Sequence, residues 1–204
     1  MSAALLMRKS ANTTKEEKMF KPDRERALAL LHKHNQSQSL RSHALAVEAA
    51  MRHMARLWGE DEHYWAEVGL LHDIDYEKHP EDHLKFAPEM LREGGCDEAF
   101  IRSVLSHGWT LCTDVEPQEK MEKALFAADE LCGLITAAAY MRPSKSVMDL
   151  EVSSLKKKFK DKKFAAGVNR EIILKGCEML GLTLDELAAL TIAGMRENAA
   201  EIGL

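Results

Sequence analysis

Four polar residues stand where a helical core calls for apolar side chains: His43, the adjacent pair His72 and Asp73, and a distant Asp129. On the segment carrying Leu40, Val47, Met51 and Met54, His43 lies three residues after one stripe member and four before the next, which turns it inward. Asp129 does the same between Leu125 and Cys132. A carboxylate in a packed core keeps its charge only when something compensates the lost hydration, because desolvation without a partner costs several kcal/mol. A bound cation is such a partner. Imidazole and carboxylate ligands suit iron, manganese, cobalt, nickel and zinc, with magnesium as the harder alternative. A lone inward histidine is usually a hydrogen-bonded core residue. Several such replacements in one chain are a poor way to build a purely structural core, since each buried polar group needs its own partner.

The elements that must position these residues read as helix after helix, with no period-two strand pattern, so the expected class is all-α, a helical bundle with the metal site in its core. Asp23 opens a short helix over 23–31, and Ser37 or Ser39 caps a long one that carries His43 and stops at Gly59. A third begins near Asp61 and brings Trp65, Val68 and Leu71 down to His72 and Asp73. Consecutive side chains on a helix splay by roughly 100 degrees, so this pair reaches a metal only from a helix end or flank. Residues 75–87 are polar and irregular, with Pro80 and Pro88 interrupting any continuous helix. Further helices are expected over 88–92, 97–106 and 121–140, the last carrying Asp129 and ended by Pro143. Ser144 is expected to cap a lysine-rich helix, Asn169 to cap one through Leu180, and Thr183 with Glu186 to form the capping box of a last helix ending near residue 202.

The order His, His-Asp, Asp resembles the HD-domain metal-dependent phosphohydrolase superfamily, over roughly residues 39–133. Gly69-Leu70-Leu71-His72-Asp73-Ile74-Asp75-Tyr76-Glu77 is similar to the central motif, and Ala127-Ala128-Asp129-Glu130-Leu131 to the helix that supplies the final aspartate. His83 and His107 resemble the extra histidines of members that hold two metals; His79 competes with His83 for that place. The stretch from Arg142-Pro143-Ser144-Lys145-Ser146 to Asn169-Arg170 is also similar to small bacterial proteins of this kind. The resemblance implies one ion on His43, His72, Asp73 and Asp129, or two bridged by Asp73, with His83 and His107 completing the second. It implies hydrolysis of a nucleotide or other small phosphate ester by metal-activated water. A di-iron oxygenase of the same superfamily and a noncatalytic metal-binding regulatory module are the alternatives.

Departures narrow the reading. Asp75-Tyr76 replaces the Gly-Lys of cyclic-dinucleotide phosphodiesterase members, and Tyr76 replaces the acid used by a 5'-nucleotidase branch. Asp75 and Glu77 are the candidates for general acid or base. Arg41, Lys78 and Ser144-Lys145 are the candidates for holding phosphate, for which lysine offers a suitable point charge; Lys145, in the family-like stretch after the Asp129 helix, is the one assigned to the site. Trp58, Trp109 and Tyr140 are candidate stacking surfaces for a base.

Bulk properties agree with a soluble intracellular protein. A chain of 204 residues with 46% hydrophobic content fits one domain, expected over 21–204, after a leader over 1–20 in which Met19 is an alternative start. The net charge of -5 argues against general nucleic-acid binding. The apolar run over 3–7 is too short for a signal peptide, and no stretch reaches the length of a membrane span. Cys96, Cys112, Cys132 and Cys177 show no CxxC spacing, which favours a reduced, cytoplasmic setting. The lysine run over 156–163 reads as a solvated helix face that can attract anionic substrates.

Overall fold

Asp23, held in extended backbone, accepts a hydrogen bond from the Arg26 amide at 2.9 Å and starts the first helix of the computed structural model, which describes residues 23–204. The leader expected over 1–20 and the alternative start at Met19 lie outside the described residues. The helices are α1 (Arg24–His34), α2 (Gln38–Trp58), α3 (Glu62–Leu71), α4 (Ala87–Glu93), α5 (Glu98–Ser106), α6 (Lys120–Tyr140), α7 (Val152–Lys160), α8 (Arg170–Leu180), α9 (Leu184–Glu197) and α10 (Ala199–Ile202). A single 3-10 turn, Pro80–Asp82, interrupts the loop between α3 and α4. The described residues contain no strand, and the all-α expectation holds.

Two long helices, α2 and α6, form the centre. Ala46, Val47, Ala50, Met51 and Met54 of α2, and Leu125, Ala128, Leu131 and Ile135 of α6, are fully buried. Such burial contributes about 25 cal/mol per Å2 of apolar surface. Small residues set the spacing. A Cβ on Gly194 of α9 would lie 2.7 Å from Ala49 O and 2.8 Å from Ala50 Cα of α2, and one on Gly176 of α8 would lie 2.3 Å from Ala127 Cβ of α6. Backbones therefore approach closely on both central helices.

The helix ends follow the sequence except in three places. Ser37 occupies the cap position of α2 without using its side chain; Glu77 Oε2 instead accepts from the amides of Gln36 at 2.7 Å and Ser37 at 2.9 Å. Gly59 then ends α2 in the left-handed region. Ser144 does not cap a helix either. Its hydroxyl donates to Asp149 Oδ1 at 2.9 Å, Arg142 grips both oxygens of Asp149, and the loop these bonds close delays α7 to Val152. The last helix breaks at Asn198 into α9 and α10, while the capping box of Thr183 and Glu186 forms as expected.

Candidate metal centre

His72 follows the last residue of α3, and His107 follows the last residue of α5. At such ends the final carbonyls lack helical partners, and each imidazole uses one. His72 Nδ1 donates to Gly69 O and His107 Nδ1 donates to Val104 O, both at 2.7 Å. A neutral ring that donates through Nδ1 carries its lone pair on Nε2, so local backbone geometry sets both rings to present Nε2. His83 is set differently. Its Nδ1 donates to Asp75 Oδ1 at 2.9 Å, and Asp75 Oδ2 accepts from the amides of Phe86 at 3.2 Å and Ala87 at 3.1 Å.

The presented nitrogens converge on Asp73. Oδ1 of Asp73 lies 3.3 Å from His83 Nε2 and 3.4 Å from His107 Nε2, and those two nitrogens are 3.3 Å apart. Oδ2 faces the other way, 3.4 Å from His72 Nε2 and 3.9 Å from His43 Nε2. Asp129 Oδ1 completes that side at 2.8 Å from His43 Nε2 and 3.4 Å from His72 Nε2. His43 comes from the second turn of α2 and Asp129 from the middle of α6, which explains why one helical stripe on each was interrupted.

These residues fit divalent cations. Lone pairs of His83 and His107 pointing at each other and at a carboxylate repel unless positive charge lies among them. His72 Nε2 is buried with no hydrogen-bond partner, which suits it to ligate a metal ion. Three overlapping sets, His43-His72-Asp73, His72-His107-Asp129 and Asp73-His83-His107, each bring their ligand atoms within 4.8 Å of one another. The donor set, imidazole nitrogen and carboxylate oxygen, is that of iron, manganese, cobalt, nickel or zinc. Without metal, protons take the place of cations. Burial opposes a charge on His83, but its hydrogen bonds to Asp73 and Asp75 outweigh it and lift the ring to about 9. Burial likewise opposes charge on His72, Asp73 and Asp129. Mutual attraction prevails, so His72 is held well above the usual imidazole value, and Asp73 and Asp129 well below the carboxylate range.

A cavity of about 440 Å3 opens onto this cluster. His43, Asp73, His83, His107 and Asp129 line it, with Tyr76, Leu111 and Ile172 supplying apolar wall. His79 is not among its residues; it stacks on Phe86 with ring centroids 3.9 Å apart. Asp75 is fully buried with both oxygens bonded, so it does not face solvent as a proton-transfer group would. Glu77 is occupied at the start of α2. Lys145 is exposed in the turn beyond α6, and the stretch from Asp129 to Tyr140 alone spans about 16 Å of helix axis, so Lys145 is not brought to the cavity. Arg41 donates to Asn35 O at 2.7 Å, and Lys78 Nζ lies 3.0 Å from His34 Nδ1. Trp58, Trp109 and Tyr140 are not among the lining residues either. Sequence reasoning passed over Glu130, which lines the cavity one residue after Asp129. Its only signal was that adjacency.

No helix among the described residues is long and apolar enough to cross a membrane. No significant match was found among curated proteins or among solved structures. The family model described as HD domain matches residues 40–133, a segment that contains His43, His72, Asp73, His83, His107 and Asp129 together. Residues 40–133 therefore match the HD domain, whose family is made up mostly of metal-dependent hydrolases.

Proposed function

We propose that the protein is a metal-dependent phosphohydrolase that cleaves a small phosphate ester by water, with His43, His72, Asp73 and Asp129 holding one divalent ion and Asp73, His83 and His107 a second. The observation that carries this reading is the division of Asp73, one oxygen toward each group of imidazole nitrogens, at the floor of an open cavity. When bound, such ions lower the pKa of water from about 15.7 toward 7 and neutralise charge on phosphoryl oxygens. The chain's own part is orientation. Gly69 O, Val104 O and Asp75 fix three rings so that their basic nitrogens face inward, a role that partners of metal-binding histidines commonly fill. Leu111 and Ile172 add apolar surface to the cavity wall.

Release of inorganic phosphate from a panel of phosphomonoesters, after loading with manganese, iron, cobalt or zinc, tests the reading. Turnover by the natural chain and none by Asp73→Asn is the expected result. Failure of every ester with every metal would contradict it.

A further inference from the structure

Beyond the metal-ligating atoms, the cavity wall adds one charge, the carboxylate of Glu130. Its Oε2 accepts from the amide of Asn169 at 2.9 Å, which ties the side chain to the residue capping α8. Its other oxygen takes no hydrogen bond from any described residue, leaving an oriented acceptor at the cavity. The cations considered for phosphate, and those of α8, are committed elsewhere. Lys78 meets His34, Arg41 donates to Asn35 O and Gln36, and Lys175 sits 3.8 Å over the Trp109 ring. Arg170 donates to the carbonyls of Phe159, Asp161, Phe164, Ala165 and Val168. Among the described residues, no lysine or arginine lines the cavity.

Two divalent ions held by Asp73 and Asp129 leave a residual charge of about +2, which the dianion of one phosphate monoester matches. A second or third phosphate finds no cation in that wall and meets the Glu130 carboxylate, an arrangement that discriminates by repulsion. A hydroxyl or ammonium group placed there gains a charge-assisted hydrogen bond instead. We propose, building on the phosphohydrolase reading, that the substrate carries a single phosphoryl group on an organic portion bearing a hydroxyl or amine, which Glu130 accepts as a specificity-determining residue.

Calorimetric titration of the manganese-loaded protein with 2-hydroxyethylphosphonate and ethylphosphonate, whose carbon–phosphorus bonds resist hydrolysis, tests this without relying on turnover. The expected result is roughly tenfold tighter binding of the hydroxyl compound, falling to about threefold or less in Glu130→Gln, which still offers an acceptor to Asn169 but loses the charge. A comparison of kcat/KM for adenosine monophosphate and adenosine triphosphate in the natural chain is expected to favour the monophosphate. Equal affinity for the two phosphonates, or preference for the triphosphate, would overturn the inference while leaving the phosphohydrolase reading standing. A metal-loaded protein that binds neither phosphonate would also overturn the inference, whereas the phosphohydrolase reading falls only if no ester is turned over.

Discussion

Asp75 shows how one side chain, itself not reaching the cavity, decides what a neighbour can bind. Its carboxylate accepts from His83 Nδ1 and from two amides at the start of α4, so His83 keeps its lone pair on Nε2. In Asp75→Asn the amide oxygen can satisfy those backbone amides, and the amide NH2 then faces His83, favouring the opposite tautomer. The expected outcome is a 10- to 100-fold weaker second metal with the first retained, read by metal titration. The protons on His83 give a second test. Its value of about 9 in the metal-free fold lies above the ordinary 6.5, so this group contributes stability fully present below pH 6.5 and lost as pH rises through 9. A metal must displace that proton. Apparent affinity for the second ion is therefore expected to weaken by up to about tenfold for each pH unit below 9, while the metal-free protein melts at lower temperature as pH rises from 6.5 to 9. At this scale His43, His72, Asp73 and Asp129 were legible because each puts a polar group on a helical stripe or at its end. The burial of Asp75, a candidate acid or base, was not legible and Glu130 was passed over, because their partners, His83 and Asn169, come from turns whose path no periodicity encodes.

The elements matter through how closely they approach. Gly194 lets α9 lie against the backbone of α2, two turns along from His43, and a methyl group there meets Ala49 O at 2.7 Å and His53 Cβ at 2.9 Å. Backbone cannot yield as a flexible side chain can. Gly194→Ala is accordingly expected to destabilise the fold by about 1–3 kcal/mol in denaturant unfolding, whereas Gly133→Ala, whose Cβ would meet only Val168 at 3.7 Å, should cost less. Most helices were readable from caps and stripes: Asp23, Asp61, Asp97, Asn169 and Thr183 each accept from an amide in the first turn, as their positions before apolar periods foretold. Ser144 had the same appearance and a different fate. Asp149, five residues on and held by Arg142, accepts from its hydroxyl, and a side-chain pair at that spacing closes a loop.

On the scale of the molecule, the family match covers residues 40–133, yet the cavity over the candidate metal centre is completed by helices beyond residue 133. Ile172 of α8 closes part of the cavity, Asn169 fixes Glu130, and α9 holds α2 in place. The helical class and the order of the candidate histidines and aspartates could be read along the chain. The cavity could not, because it lies between helices brought together only by tertiary packing. If Asp73 bridges two ions, metal content per chain after reconstitution and removal of free metal will reveal it. Two ions are expected in the natural chain, about one in His83→Ala with His107→Ala, and none in Asp73→Ala. Retention of no metal by the natural chain, or undiminished retention by Asp73→Ala, would refute a bridging role for Asp73.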